Sequence, residues 1–284
     1  MKSVWGQWLT KLKELHASEG GLDEDSREAR QFVEAFRIPY EMFRGIVEAM
    51  APAFPTATRD VAGRECIPVE LKVCVALKVL AAGNSFQDVA TFSGMSVKTA
   101  ETSFHLFCEK FSAALWDKWV YLPVGDELKK VERVFGMSGY PGAMGSTDCT
   151  HFRWSGGPFS EARMNTGKEG YASVVVETTC DHTGRIIAAT KSYPGSENDK
   201  TVIQRDRSIW RIQREEPWST YKYNLYNADG SETEHKGAWL VVDGGYQKIP
   251  LLIPPIKHHA TNEEHMWSRR LESMRKDIEC CYEE

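Results

Sequence analysis

Aspartate is disfavoured in β-strands, yet Asp148 falls in the middle of Gly145-Ser146-Thr147-Asp148-Cys149-Thr150-His151, which otherwise reads as strand. A carboxylate buried there needs a charged partner. Asp243 occupies a different kind of position. It ends the continuously apolar run Ala238-Trp239-Leu240-Val241-Val242 just ahead of Gly244 and Gly245, and open sheets place ligand-binding groups at the C-terminal ends of such interior strands. Further on, Glu272, Arg275 and Glu279 are spaced by three and four residues, so on a helix they form one ridge beside its buried stripe. Carboxylates from two strands and a helix, meeting at one end of a sheet, make an oxygen-only site suited to Mg²⁺ or Mn²⁺. Each residue taken alone also has a plainer account: an edge-strand aspartate with local hydrogen bonds, a turn aspartate ahead of two glycines, and intrahelical ion pairs worth ~0.3–0.5 kcal/mol each. His258, His259 and His265 lack cysteine partners and zinc-ligand spacing, and read as loop residues.

The elements that must position these groups follow from periodicity. Three helical stripes come first: Trp5, Trp8, Leu9, Leu12 and Leu15; then Ala29, Phe32, Val33 and Phe36, ended by Pro39; then Phe43, Ile46, Val47 and Met50, ended by Pro52. Pro68 opens a helix that stops at Gly83, Ser85 caps a short one ending near Gly94, and Ser96 caps a third running towards Lys110. Ala90, Gly94 and Ala100 fall at the offsets a helix-turn-helix requires, with Lys98, Thr99, Thr102 and His105 facing outward; an ordinary helical core needs the same small residues. From Gly142 the texture changes to strands. Residues 143–154 form the first, and 171–180 and 185–192 flank the turn Asp181-His182-Thr183-Gly184 as a hairpin. A helix starts near Asp199 with Val202, Ile203, Ile209 and Trp210 as its apolar residues. A polar segment from Arg214 to Gly237 carries a small hairpin at Ala228-Asp229-Gly230 ahead of the apolar strand, and the last helix covers roughly Glu263 to Cys281.

Composition bounds what such an assembly can be. At 284 residues the chain suits a catalytic-sized domain plus a smaller companion, with the boundary placed at 135/136. Its 42% hydrophobic content provides for a core. The longest apolar stretch, Val73 to Ala82, is interrupted by Lys78 and is too short for a bilayer of about 30 Å. The N-terminal residues read as an amphipathic helix rather than a secretory signal, and seven scattered cysteines give no disulfide framework, so an intracellular, reducing compartment is expected. The net charge of −5 argues against holding nucleic acid by bulk charge alone.

Four segments carry a family resemblance: residues 145–151, Pro194-Gly195-Ser196-Glu197-Asn198-Asp199, Val242-Asp243-Gly244-Gly245-Tyr246, and residues 269–280. In this order they resemble the DDE transposases of the PIF/Harbinger superfamily. The resemblance covers roughly residues 142–281, and more weakly the helical region before them. It implies an α/β, RNase H-like mixed sheet flanked by helices, preceded by an all-α, helix-turn-helix-like, DNA-directed region. It further implies a catalytic, metal-holding triad of Asp148, Asp243 and Glu279, with Asp199 supporting the site from a turn. The cofactor would be two Mg²⁺ or Mn²⁺ ions, and the reaction cleavage at transposon ends followed by strand transfer into target DNA. Arg163, Lys168 and Arg275 are candidate contacts to DNA phosphates. The resemblance also implies a nuclear location, homo-oligomers and a Myb-like accessory protein. The family's last helix continues past its glutamate into a basic segment, whereas five residues follow Glu279 here; the 136–284 domain is therefore expected to be truncated. The competing expectations are a transposase-derived, catalytically inactive DNA-binding or scaffolding protein, and an unrelated two-metal phosphohydrolase.

Overall fold

A computed structural model describes residues 3–18, 22–54, 59, 63 and 65–283. It divides into two compact units, Met1–Asp117 and Lys118–Glu284.

The first unit is helical. The stripes of α1 (Val4–Ala17), α2 (Arg27–Phe36) and α3 (Tyr40–Met50) bury Trp5, Leu9, Leu12, Phe32, Phe36, Phe43 and Met50 around α4 (Val69–Ala82). Val33, expected on the buried stripe of α2, is instead 41% exposed. Ser85 and Asp88 form a reciprocal cap on α5 (Phe86–Ser93). Gly94 ends that helix at φ +72°, and α6 (Val97–Trp119) follows, longer than its cap and periodicity suggested. Ala90 and Ala100 are buried, as a close helix crossing requires. On the outward side of α6, Lys98 pairs with Glu101 at 2.9 Å and Thr99 with Ser96 at 2.8 Å.

The second unit opens with α7 (Gly125–Met137), which the sequence reading did not find. It is anchored by Glu132, whose carboxylate accepts from the Gly142 amide at 2.8 Å and the Tyr221 hydroxyl at 3.2 Å. The strands β1 (Ala143–Arg153), β2 (Ser173–Cys180), β3 (Ile186–Ala189), β4 (Tyr193–Pro194), β7 (Trp239–Val241) and β8 (Leu252–Ile253) form one mixed sheet in the order β3-β2-β1-β7-β8, with β4 also on β2. β1–β2 and β2–β3 are antiparallel; β1–β7 and β7–β8 are parallel. The apolar strand β7 is interior, as its unbroken hydrophobic run requires. Between β1 and β2 lies α8 (Phe159–Asn165), and ahead of β7 an exposed hairpin, β5 (Lys222–Tyr226) and β6 (Glu232–Lys236). The helix expected from Asp199 through Trp210 is in fact two. Asp206 accepts from the backbone N–H and hydroxyl of Ser208, which ends α9 (Asp199–Ile203) and starts α10 (Arg207–Arg214). The restart turns Trp210, expected in the core, outward at 49% exposed.

α11 (Asn262–Glu283) lies across β1, β2 and β7, burying Leu271 and Ile278. Among the described residues no helix is long and apolar enough to cross a membrane. The turn that presents Asp199 is pinned by close backbone approach: a Cβ at Gly195 would lie 2.6 Å from the Ser173 carbonyl and 2.7 Å from that of Asn165. Gly195→Ala is therefore expected to destabilise the unit by about 2 kcal/mol, read as a lower urea midpoint at unchanged slope.

Candidate metal and catalytic site

Strand β1 is fully buried from Ala143 to Thr147, half-buried from Asp148 to His151 and exposed at its last two residues, so Asp148 stands where the strand emerges from its cover. Ser146 pairs with Val241 in the parallel register. Asp243 lies two residues beyond Val241, past the end of β7, and its charge acts on Asp148, two residues beyond Ser146 on β1. α11 covers β1 here: the Ser146 hydroxyl donates to the Met274 carbonyl at 3.4 Å. From α11, Arg275 reaches Asp148 at 2.9 Å, Glu279 at 2.5 Å and Glu272 at 3.2 Å. The ridge expected on this helix thus exists, and its intrahelical pairs extend to the strand aspartate.

The side chains of Asp148 and Arg275 are only 19% and 14% exposed. Burial pushes the Asp148 carboxyl up to about 6. The Cys149 amide, donating at 2.8 Å, and the Arg275 charge hold it down, while the charges of Asp243 and Asp199 push it further up. Asp243 accepts from the Gly245 amide at 2.7 Å, a turn bond that fixes its carboxylate above the strand end. The last turn of α11 is fastened by Tyr282. Its hydroxyl donates to the Asp148 carbonyl at 2.7 Å and lies 2.5 Å from the Thr178 hydroxyl.

Asp148 and Glu279 are therefore gathered around one positive charge, with Asp243 and Asp199 near enough to act on Asp148. Among the described residues no three His, Cys, Asp or Glu side chains stand as a metal-holding group. The donor chemistry nevertheless fits a hard divalent ion, being oxygen-only and excessively anionic. The Arg275 guanidinium is the positive charge between Asp148 and Glu279. Arg275, expected to contact DNA phosphates, is occupied by three carboxylates. Arg163 and Lys168 are exposed in the β1–β2 connection.

The sequence reading missed a second polar group behind the sheet. Glu177 is opposite Cys149 in the β1–β2 register and is completely buried. The Cys149 thiol donates to its Oε2 at 3.8 Å, and the Tyr246 hydroxyl donates to the Cys149 Sγ at 3.4 Å. Burial, then the Asp206 charge, push the Glu177 carboxyl up to about 9. The signal was available: a glutamate inside Val174-Val175-Val176-Glu177-Thr178-Thr179 is as anomalous as Asp148 in its own strand.

A mixed sheet flanked by helices, with Asp148 on β1, Asp243 just past the end of the adjoining parallel strand and Glu279 on the helix laid across them, defines an α/β domain of RNase H-like architecture. Residues 117–283 match the family described as plant transposon protein, and the chain belongs to that family, in agreement with the PIF/Harbinger resemblance of its motifs. Two curated relatives carry the name "Putative nuclease HARBI1". The Mus musculus protein is 22% identical over 257 residues, 87% of this chain and 66% of the relative; the Rattus norvegicus protein is 22% identical over 259 residues, with the same coverage. The Homo sapiens protein of that name is 23% identical over 137 residues, 48% of this chain and 34% of its own length. The chain thus spans just under two thirds of the length of the first two relatives. No solved structure matches it.

Proposed function

We propose that the second unit is a divalent-metal-dependent DNA endonuclease and transposase domain of DDE type, acting on transposon ends and target DNA in the nucleus. Asp148, Asp243 and Glu279 would hold Mg²⁺ or Mn²⁺, with Asp199 supporting them. The carrying observation is that Asp148 and Glu279 are both drawn to the Arg275 charge, with Asp243, two residues past the last β1–β7 pair, close enough for its charge to act on Asp148. Bound ions would lower the pKa of an attacking water or 3′-hydroxyl and stabilise the departing oxygen. The chain's own part is to hold three carboxylates at fixed positions and to keep their mutual repulsion balanced by Arg275 until an ion arrives. Arg163 and Lys168 would take DNA phosphates beside the site. The test is nicking of duplex DNA bearing element ends, with Mn²⁺ and with EDTA; cleavage that persists under chelation overturns the reading.

Arg275 also favours a second reading. If the guanidinium never yields its carboxylates, the chain is an inactive DNA-binding or scaffolding protein. The two readings differ in Mn²⁺ binding, measured by calorimetry. On the enzymatic reading Arg275→Gln, which removes the competing charge, binds Mn²⁺ about tenfold more tightly than the wild type. Absence of Mn²⁺ binding by both proteins supports the inactive reading.

A further inference from the structure

The Glu177 cluster lies outside the acidic site, on the opposite face of the same strands, since Cys149 and Glu177 alternate with Asp148 and Thr178. Its hydrogen bonds run in one direction: Tyr246 donates to Cys149, and Cys149 donates to Glu177 Oε2. On its other side the buried Glu177 carboxyl faces the Asp206 carboxylate at the start of α10, the charge that acts on it most strongly and to which its protonated form donates. The backbone of Glu177 is itself held, its N–H donating to the Thr190 hydroxyl at 3.1 Å and its carbonyl accepting from the Thr190 amide at 2.9 Å. The ends of this chain of bonds are informative. Cys149 directly follows Asp148, and Tyr246 closes the turn that begins at Asp243, its N–H donating to the Asp243 carbonyl at 3.4 Å.

We propose that Glu177 is a positioning residue for the acidic site, locking through Cys149 and Tyr246 the two backbone segments that carry Asp148 and Asp243. It touches neither reacting atoms nor substrate. It sets the spacing of two carboxylates from behind, as outer groups do for metal ligands elsewhere, where their loss weakens metal binding about 10–100-fold. The inference rests on the proposed site for its meaning, but its geometry can be read without any ion.

Two amides report that geometry directly: Cys149 N–H donates to Asp148 and Gly245 N–H to Asp243. In Glu177→Ala, amide hydrogen exchange is expected to accelerate at both, by about tenfold or more, while Leu240 and Leu271 stay protected. Mn²⁺ affinity is expected to fall about 10–100-fold. Glu177→Gln, which keeps an acceptor for Cys149 and a donor towards Asp206, is expected to restore both readouts to within about threefold. Should Glu177→Ala not fold, Tyr246→Phe removes only the hydroxyl at the far end and is expected to accelerate the same two amides. Exchange unchanged in the folded variant, or Glu177→Gln as impaired as Glu177→Ala, overturns the proposal. A wild type that binds no Mn²⁺ overturns the metal reading instead, and leaves the exchange result to decide this one.

Discussion

Asp148→Asn is expected to abolish Mn²⁺-dependent nicking, by about 10³-fold or more, while making the protein more stable. The first effect follows from removing an anionic ligand from a site whose ion supplies several kcal/mol of transition-state stabilisation. The second follows from the price Asp148 exacts on the fold. Its carboxyl is pushed up to about 6 chiefly by burial. Above that pH the native state carries an ionised group that the unfolded chain would ionise more readily. Asparagine resembles the neutral form and avoids that cost, although Arg275 loses one of its three partners. A gain of about 1–2 kcal/mol at pH 7–8 is expected, with nicking and urea denaturation measured on the same preparations. Asp243→Asn should lose activity equally. Full activity in either purified variant removes that residue from the triad.

Glu177→Gln is expected to flatten the dependence of stability on pH. A carboxyl pushed up to about 9 in the folded state keeps a proton that the unfolded chain releases near 4.5. Stability from this group is therefore complete below about pH 4.5 and declines as pH rises to about 9. Glutamine carries no such proton, so the variant should match the wild type near pH 4–5 and exceed it by about 4–5 kcal/mol at pH 8. Urea midpoints at pH 5, 7 and 9 measure this. Parallel curves for the two proteins would mean that Glu177 is ionised in the native state.

The contrast between Asp148 and Glu177 also marks what the sequence made legible. The mixed sheet of the second unit was readable because its signals are local. An unbroken apolar run specifies interior β7, a turn between β-branched segments specifies the β2–β3 hairpin, and offsets of three and four specify the ridge on α11. What escaped depends on tertiary context. Residues 262–283 show a ridge of Glu272, Arg275 and Glu279, but not that Asp148 completes it as a third partner of Arg275. Asp206 is an ordinary polar residue until its side chain caps Ser208 and splits the helix, turning Trp210 outward. α7 and α8 were lost among connections, and β8, two residues long, pairs only because β7 offers it an edge. The anomaly test applied to Asp148 would have found Glu177 as well, since both are carboxylates inside otherwise apolar or β-branched strand segments.

The parallel pairing of β1 with β7 has a consequence for how such a domain comes into being. Asp148 and Asp243 are 95 residues apart in the chain, and Glu279 lies 36 further on. Nothing local draws them together; the strands must close a long loop, and α11 must settle, before three like charges become neighbours. By then the aliphatic interior is built and can bear their repulsion. On the proposed function, nascent or half-folded chains would carry no competent cutting centre, and the capacity to break DNA would arrive with the final act of folding.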